Sequence, residues 1–112
     1  MEVHRHLGPG LMESVYDVCL TRELQHTGLF FERQKQLPVN YKGCLLEKDF
    51  FIDILVEAEI VVELKAIEAI LPVHEAQLLT YLKLSEKKLG LLLNFNVPVM
   101  KQGVCRKING NL

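Results

Sequence analysis

The chain lacks a dominant charge. Its 112 residues carry a formal net charge of -1, not the strongly basic balance of a typical nucleic-acid binder, so any nucleic-acid contact must come from local patches or a metal ion. Cysteine is scarce. Cys19, Cys44 and Cys105 are far apart, odd in number and without zinc spacing, which argues against a disulfide framework or a zinc site and fits free thiols in a reducing cytoplasm. No apolar run reaches transmembrane length, no signal peptide is visible, and low-complexity tracts and internal repeats are missing. With 49% hydrophobic residues the chain can bury a real core, and its length points to one domain over residues 1–112.

The element pattern is mixed. Gly8-Pro9-Gly10 breaks the chain before a helix over Leu11–His26, where Leu11, Val15, Val18, Cys19 and Leu24 recur near helical spacing and Gly28 supplies the stop. Phe30–Tyr41 is strand-like, with Pro38 marking an edge or a break between two short strands. Lys42-Gly43 reads as a turn, Cys44–Val56 as a second strand and Ile60–Ala66 as a third. Pro72 opens a helix near Val73–Glu86, with Glu75 in its first turn and Lys83 near its end, as the helix dipole favours. Leu89–Phe95 and Val104–Ile108 read as the last strands. The order predicts one mixed sheet flanked by helices.

Against that apolar pattern, three charges stand out. Asp53 interrupts Phe50-Phe51-Ile52-Asp53-Ile54-Leu55-Val56, and Glu63 and Lys65 lie within Ile60-Val61-Val62-Glu63-Leu64-Lys65-Ala66. Such runs belong to largely buried strands, where a charge is costly unless paired or metal-bound. Alternation puts Glu63 and Lys65 on one face. A three-residue loop at 57–59 would set Asp53 opposite Glu63, whereas a two-residue loop would set it opposite Leu64 and break the site unless a bulge restores the phase. We expect the odd-length loop or a bulge. Two carboxylates and an ammonium converging in this way suit a hard divalent cation. The competing reading is an ion pair of Asp53 with a nearby base, Lys65 included.

The helices add polar groups. Gln77 and Tyr81 lie four apart on one helical face with His74 one turn earlier; the stripe would line a cleft, or else Tyr81 is a core-edge residue and Gln77 solvated. His74 is set aside as structural. Glu13 and Tyr16 follow closely on Gly10, and Glu13 would reach the site as a third carboxylate, or else remain an exposed first-turn acid. Lys101, Arg106 and Lys107 form a modest basic tail, read as an ordinary solvated terminus.

The ordered set Gly10-x-x-Glu13-x-x-Tyr16, Asp53, Glu63-x-Lys65 and Gln77-x-x-x-Tyr81 resembles the GxxExxY proteins, a group within the PD-(D/E)XK nuclease-like superfamily. The longer stretches Val-His-Arg-His-Leu-Gly-Pro-Gly-Leu (3–11), Val-Val-Glu-Leu-Lys-Ala (61–66), Pro-Val-His-Glu-Ala-Gln-Leu-Leu-Thr-Tyr-Leu (72–82) and Gly-Leu-Leu-Leu-Asn-Phe (90–95) look like its signatures. The resemblance implies an α/β restriction-endonuclease-like core in helix-β-β-β-helix-β order. It implies that Asp53, Glu63 and Lys65 stand at catalytic positions, with Glu13 as a helix carboxylate and Gln77, Tyr81 and Tyr16 positioning substrate. The chain departs from the family in a nearly absent first helix before Val3, and in Phe51 where relatives often carry a polar or basic residue.

The chemistry implied is hydrolysis of nucleic-acid phosphodiesters, with DNA ranked ahead of RNA and the choice between them left open, and with Mg²⁺ (or Mn²⁺ in its place) held by Asp53, Glu63, the Leu64 carbonyl and Glu13. The alternative is a catalytically silent nuclease-like module that binds nucleic acid or protein. A third reading makes the charges a structural ion-pair cluster. A cytoplasmic protein, with a two-fold homodimer as the oligomer to test, completes the expectation.

Overall fold

The computed structural model describes residues 1–46 and 50–110. A short helix α1 (Glu2–Leu7) and a longer α2 (Glu13–Thr27) precede β1 (Phe31–Gln36), β2 (Val39–Tyr41), β3 (Cys44–Leu46), β4 (Phe51–Val56) and β5 (Ile60–Lys65). Helix α3 (Pro72–Ser85), β6 (Leu89–Asn94), a 3-10 turn (Met100–Gly103) and β7 (Val104–Ile108) complete the chain. Gly28 ends α2 in the left-handed conformation, with φ 78°. Pro72 occupies the first turn of α3, where its missing N–H costs nothing. His74 caps that helix: the Leu71 N–H donates to its Nδ1 over 2.9 Å. Among the described residues, no helix is long and apolar enough to cross a membrane.

Five strands form one sheet in the order β1-β4-β5-β6-β7, in which only the β5–β6 pair is parallel. Helix α3 makes the crossover that a parallel pair requires. The break at Pro38 separates β1 from β2, which pairs with β3 in a small second sheet. The single strand expected over Cys44–Val56 is therefore two strands in different sheets, its residues 47–49 lying outside those described. Uninterrupted apolar character hides such a junction, because periodicity does not report which partner a strand takes.

Each face of the main sheet carries its own core. On one side Ile54, Val56, Val62, Leu64 and Leu93 pack with Val3 of α1, with Tyr16 of α2 and with Phe95; Cys19, Leu20 and Leu24 of α2 lie against them. On the other, Leu37, Ile52, Leu55, Val61 and Leu92 pack with Leu78 and Leu82 of α3. Gly90 of β6 permits that approach: a Cβ there would come within 2.9 Å of Leu78 Cδ1.

Candidate active site

The β4–β5 hairpin sets the geometry. Val56 pairs with Ile60, Leu55 with Val61 and Ile54 with Val62, so the loop holds the three residues Glu57, Ala58 and Glu59. This is the odd-length loop expected from the sequence, and the same register brings Asp53 opposite Glu63. The ladder ends at Ile54 and Val62; beyond it, side chains replace backbone partners. The Leu64 N–H donates to Asp53 Oδ2 over 2.8 Å, and the Asp53 N–H donates to Glu63 Oε1 over 3.3 Å. A strand residue's N–H and C=O point to the same side. The Leu64 carbonyl therefore faces the opening that holds Asp53.

Asp53 also sits where two strands change phase. Phe31 lies with the α2-side core and Arg33 forms an ion pair with Asp17 of α2 at 3.0 Å, yet Leu37 belongs to the α3-side core. These odd-numbered residues would share a face in a regular strand. Likewise Ile54 is on the α2 side and Ile52 on the α3 side. The inversion falls between Arg33↔Ile54 and Lys35↔Ile52, the pairs that flank Gln34 and Asp53. Gln34 has φ 49°, in the left-handed region. The Asp53 carboxylate consequently turns toward the β5 backbone instead of standing on either face of the sheet.

Glu63 is buried, with 7% of its surface exposed. Alternation with Val61 places it on the α3 side together with Lys65. Burial, reinforced by the Asp53 charge, pushes its pKa from the usual 4.5 up to about 8, and the Lys65 charge opposes the rise. Among the described residues Lys65 enters no ion pair within 4 Å. Tyr81, half-buried on α3, has its phenol pKa raised by burial and then by the charge of Glu63, with a smaller push from Asp53. Its hydroxyl accepts a hydrogen bond from Gln77 Nε2 at 3.0 Å. Of the polar stripe of α3, Tyr81 thus lies within the field of both carboxylates.

Two other candidates lie elsewhere. Tyr16 is fully buried and stacks on Phe95, with ring centroids 4.4 Å apart. Its hydroxyl donates to the Gly8 carbonyl over 2.6 Å and accepts from the Leu11 N–H at 3.1 Å, bracing the turn before α2. Glu13 is exposed in the first turn of α2. Among the described residues no three His, Cys, Asp or Glu side chains gather closely enough to hold a metal, and the exposed Glu13 is part of no such group. Its helix α2 packs on the face of the sheet opposite to α3. In the basic tail, Lys107 is engaged by Glu75 at 2.8 Å.

One residue beside the site escaped the sequence reading. Asn94, 1% exposed at the end of β6, pairs in register with Lys65. Its Oδ1 accepts from the Ile67 N–H and its Nδ2 donates to the Ile67 carbonyl, both at 3.0 Å. The side chain thereby fixes the path of the chain directly after Lys65. The Asn-Phe step closing an apolar strand was its only signal.

Two carboxylates and a directed carbonyl form a hard-oxygen donor set. The residues present are of the type that suits a hard divalent cation. Comparison with curated proteins and with solved structures found no match. A sequence model of the PD-(D/E)XK nuclease superfamily, by contrast, matches residues 1–107. A match of that extent, together with the mixed five-stranded sheet between helices, shows that the chain belongs to the PD-(D/E)XK nuclease superfamily.

Proposed function

We propose that the protein is a divalent-metal-dependent nuclease that hydrolyses phosphodiester bonds of nucleic acid, with DNA as the first substrate class to test. The observation that carries this reading is the opened end of the β4–β5 ladder. There the Asp53 and Glu63 carboxylates are bound to the backbone of the facing strand, with Lys65 beside them. Asp53, Glu63 and the Leu64 carbonyl would hold the ion, without Glu13. Bound there, Mg²⁺ or Mn²⁺ would supply Lewis-acid activation of the scissile phosphate and of the attacking water.

The chain's own groups do the rest. Lys65 offers a cationic donor on the same side as Glu63, where it orients the water and offsets charge building on the phosphate oxygens. Gln77 directs the Tyr81 phenol. That phenol keeps its proton at neutral pH, as any tyrosine does, and presents a donor to a phosphate oxygen.

The test combines calorimetric titration of Mg²⁺ and Mn²⁺ with cleavage of labelled single- and double-stranded DNA and RNA. Wild type should bind and cleave. Asp53→Ala should lose both, and Lys65→Ala should retain ion binding while losing cleavage by a factor on the order of 100 or more. Ion binding by wild type without any cleavage would convert the reading to a silent nucleic-acid or protein module. Undiminished cleavage by both variants would refute the assignment.

A further inference from the structure

Gln34 holds a left-handed backbone conformation, φ 49°, inside strand β1. Glutamine has no special tolerance for φ > 0, and such outliers persist where the surrounding structure over-determines them, often at functional sites. Gln34 stands in register with Asp53, between the pairs Arg33↔Ile54 and Lys35↔Ile52. The side chains of both strands exchange faces across this step. A regular extended residue at 34 would keep both strands in phase and aim Asp53 squarely at the α3 face, not along the sheet toward Leu64.

We infer that the backbone of Gln34, not its side chain, is the positioning device of the carboxylate pair. Its left-handed turn rotates β1 and β4 together, opens the ladder beside β5 and delivers Asp53 Oδ2 to the Leu64 N–H. The exposed Gln34 side chain makes no hydrogen bond among the described residues that would tie it to this role. The inference rests on the reading of Asp53 and Glu63 as the ion-holding pair, and concerns how that pair is assembled.

The test is a backbone series at one position. Gln34→Gly removes the side chain and favours φ > 0; Gln34→Val opposes φ > 0 through its branched Cβ. Each protein is crystallised and titrated with Mn²⁺ alone. The expected result is a Gln34→Gly protein with Asp53 still on Leu64 and Mn²⁺ affinity within about twofold of wild type, and a Gln34→Val protein with that contact broken and affinity at least about tenfold weaker. Should Gln34→Val not fold, Gln34→Ala, which reaches φ > 0 at a smaller penalty, carries the same comparison. Asp53 unmoved and affinity unchanged in the Val or Ala protein would overturn the inference, as would loss of the contact in the Gly protein. Absence of Mn²⁺ binding by wild type would defeat the nuclease reading alone, because the Asp53–Leu64 contact in the crystal structures still decides the role of Gln34.

Discussion

Asp53 and Glu63 face one another across β4 and β5, and the backbone N–H of the first donates to the carboxylate of the second over 3.3 Å. The contact ties two acids into one small volume, from which burial and mutual repulsion exclude a second negative charge. Glu63 accordingly holds its proton to about pH 8.

Stability should therefore fall as the pH rises in metal-free buffer. The folded protein keeps the Glu63 proton above the pKa of the unfolded chain, so this contribution is complete below about pH 4.5 and is lost progressively as the pH approaches and passes 8. Its size is on the order of a few kcal/mol. Glu63→Gln, neutral at every pH, should flatten the melting temperature across this window and melt above wild type at pH 8.5. Parallel pH profiles for the two proteins by thermal denaturation would show that Glu63 ionises normally.

The same proton competes with the ion. Below pH 8 a cation must displace it from Glu63, so apparent Mn²⁺ affinity should rise by up to about tenfold per pH unit between 6 and 8 and then level. Calorimetry in two buffers of different ionisation enthalpy should count close to one proton released per ion at pH 6.5. A pH-independent affinity would mean that the ion does not use Glu63.

Much of this was legible in the residues. Apolar runs gave β5 and β6 but not the division of Cys44–Val56 between two sheets; Gly28 and Pro72 gave helix limits, and alternation with an odd loop placed Asp53 opposite Glu63. The phase inversion was not legible, because it depends on one left-handed glutamine whose side chain advertises nothing. Nor could spacing tell which face of α2 is buried. Glu13 and Tyr16, three apart, look alike as site candidates, but Tyr16 packs into the core and Glu13 faces solvent. Asn94 was hidden for another reason: its partner is a backbone segment 27 residues earlier, and backbone partners leave no trace in a sequence.

Tyr16→Phe separates packing from chemistry. The substitution keeps the ring on Phe95 but strips a partner from the Gly8 carbonyl and from the Leu11 N–H. It should cost about 1–3 kcal/mol in urea unfolding and leave Mn²⁺ affinity as in wild type. A loss of cleavage at unchanged stability would instead give the hydroxyl a direct part in substrate handling.

Gly103→Ala tests the support behind the site. A Cβ on Gly103 would collide with the carbonyl oxygen of Asn94, and it would also come within 3.0 Å of Val97 Cγ2. Backbone cannot yield as a flexible side chain can, so β6 would have to shift and loosen the Asn94 clamp on Ile67. A loss of about 1–3 kcal/mol or more is expected, together with weaker Mn²⁺ binding. Gly90→Ala, whose nearest neighbours are side-chain atoms of Leu78 and Leu82 and not backbone, should cost less. Equal unfolding midpoints for the two variants would deny the special role of the Gly103–Asn94 contact.

The β4–β5 turn offers the opposite case, a place where the natural sequence is worse than it need be. Glu57 and Ala58 both adopt the left-handed conformation, with φ 53° and 55°, and the Glu59 N–H closes the turn on the Val56 carbonyl at 3.0 Å. Two successive residues at positive φ occupy a conformation that glycine, and to a lesser degree asparagine, adopts more readily than glutamate or alanine. The conformation costs an ordinary residue roughly 1 kcal/mol, which glycine avoids. Replacing Glu57 by Asn and Ala58 by Gly should therefore stabilise the protein by about 1–2 kcal/mol in urea. Because the loop keeps its length, the register that sets Asp53 against Glu63 is preserved, and Mn²⁺ affinity should not change. Inserting one further glycine after Ala58 has no such protection. It would make the loop even-numbered and force a choice between slipping Asp53 out of line with Glu63 and absorbing the residue in a bulge. Ion affinity should drop sharply if the register slips, whereas full affinity in the insertion protein would show that the pair does not depend on this hairpin for its alignment.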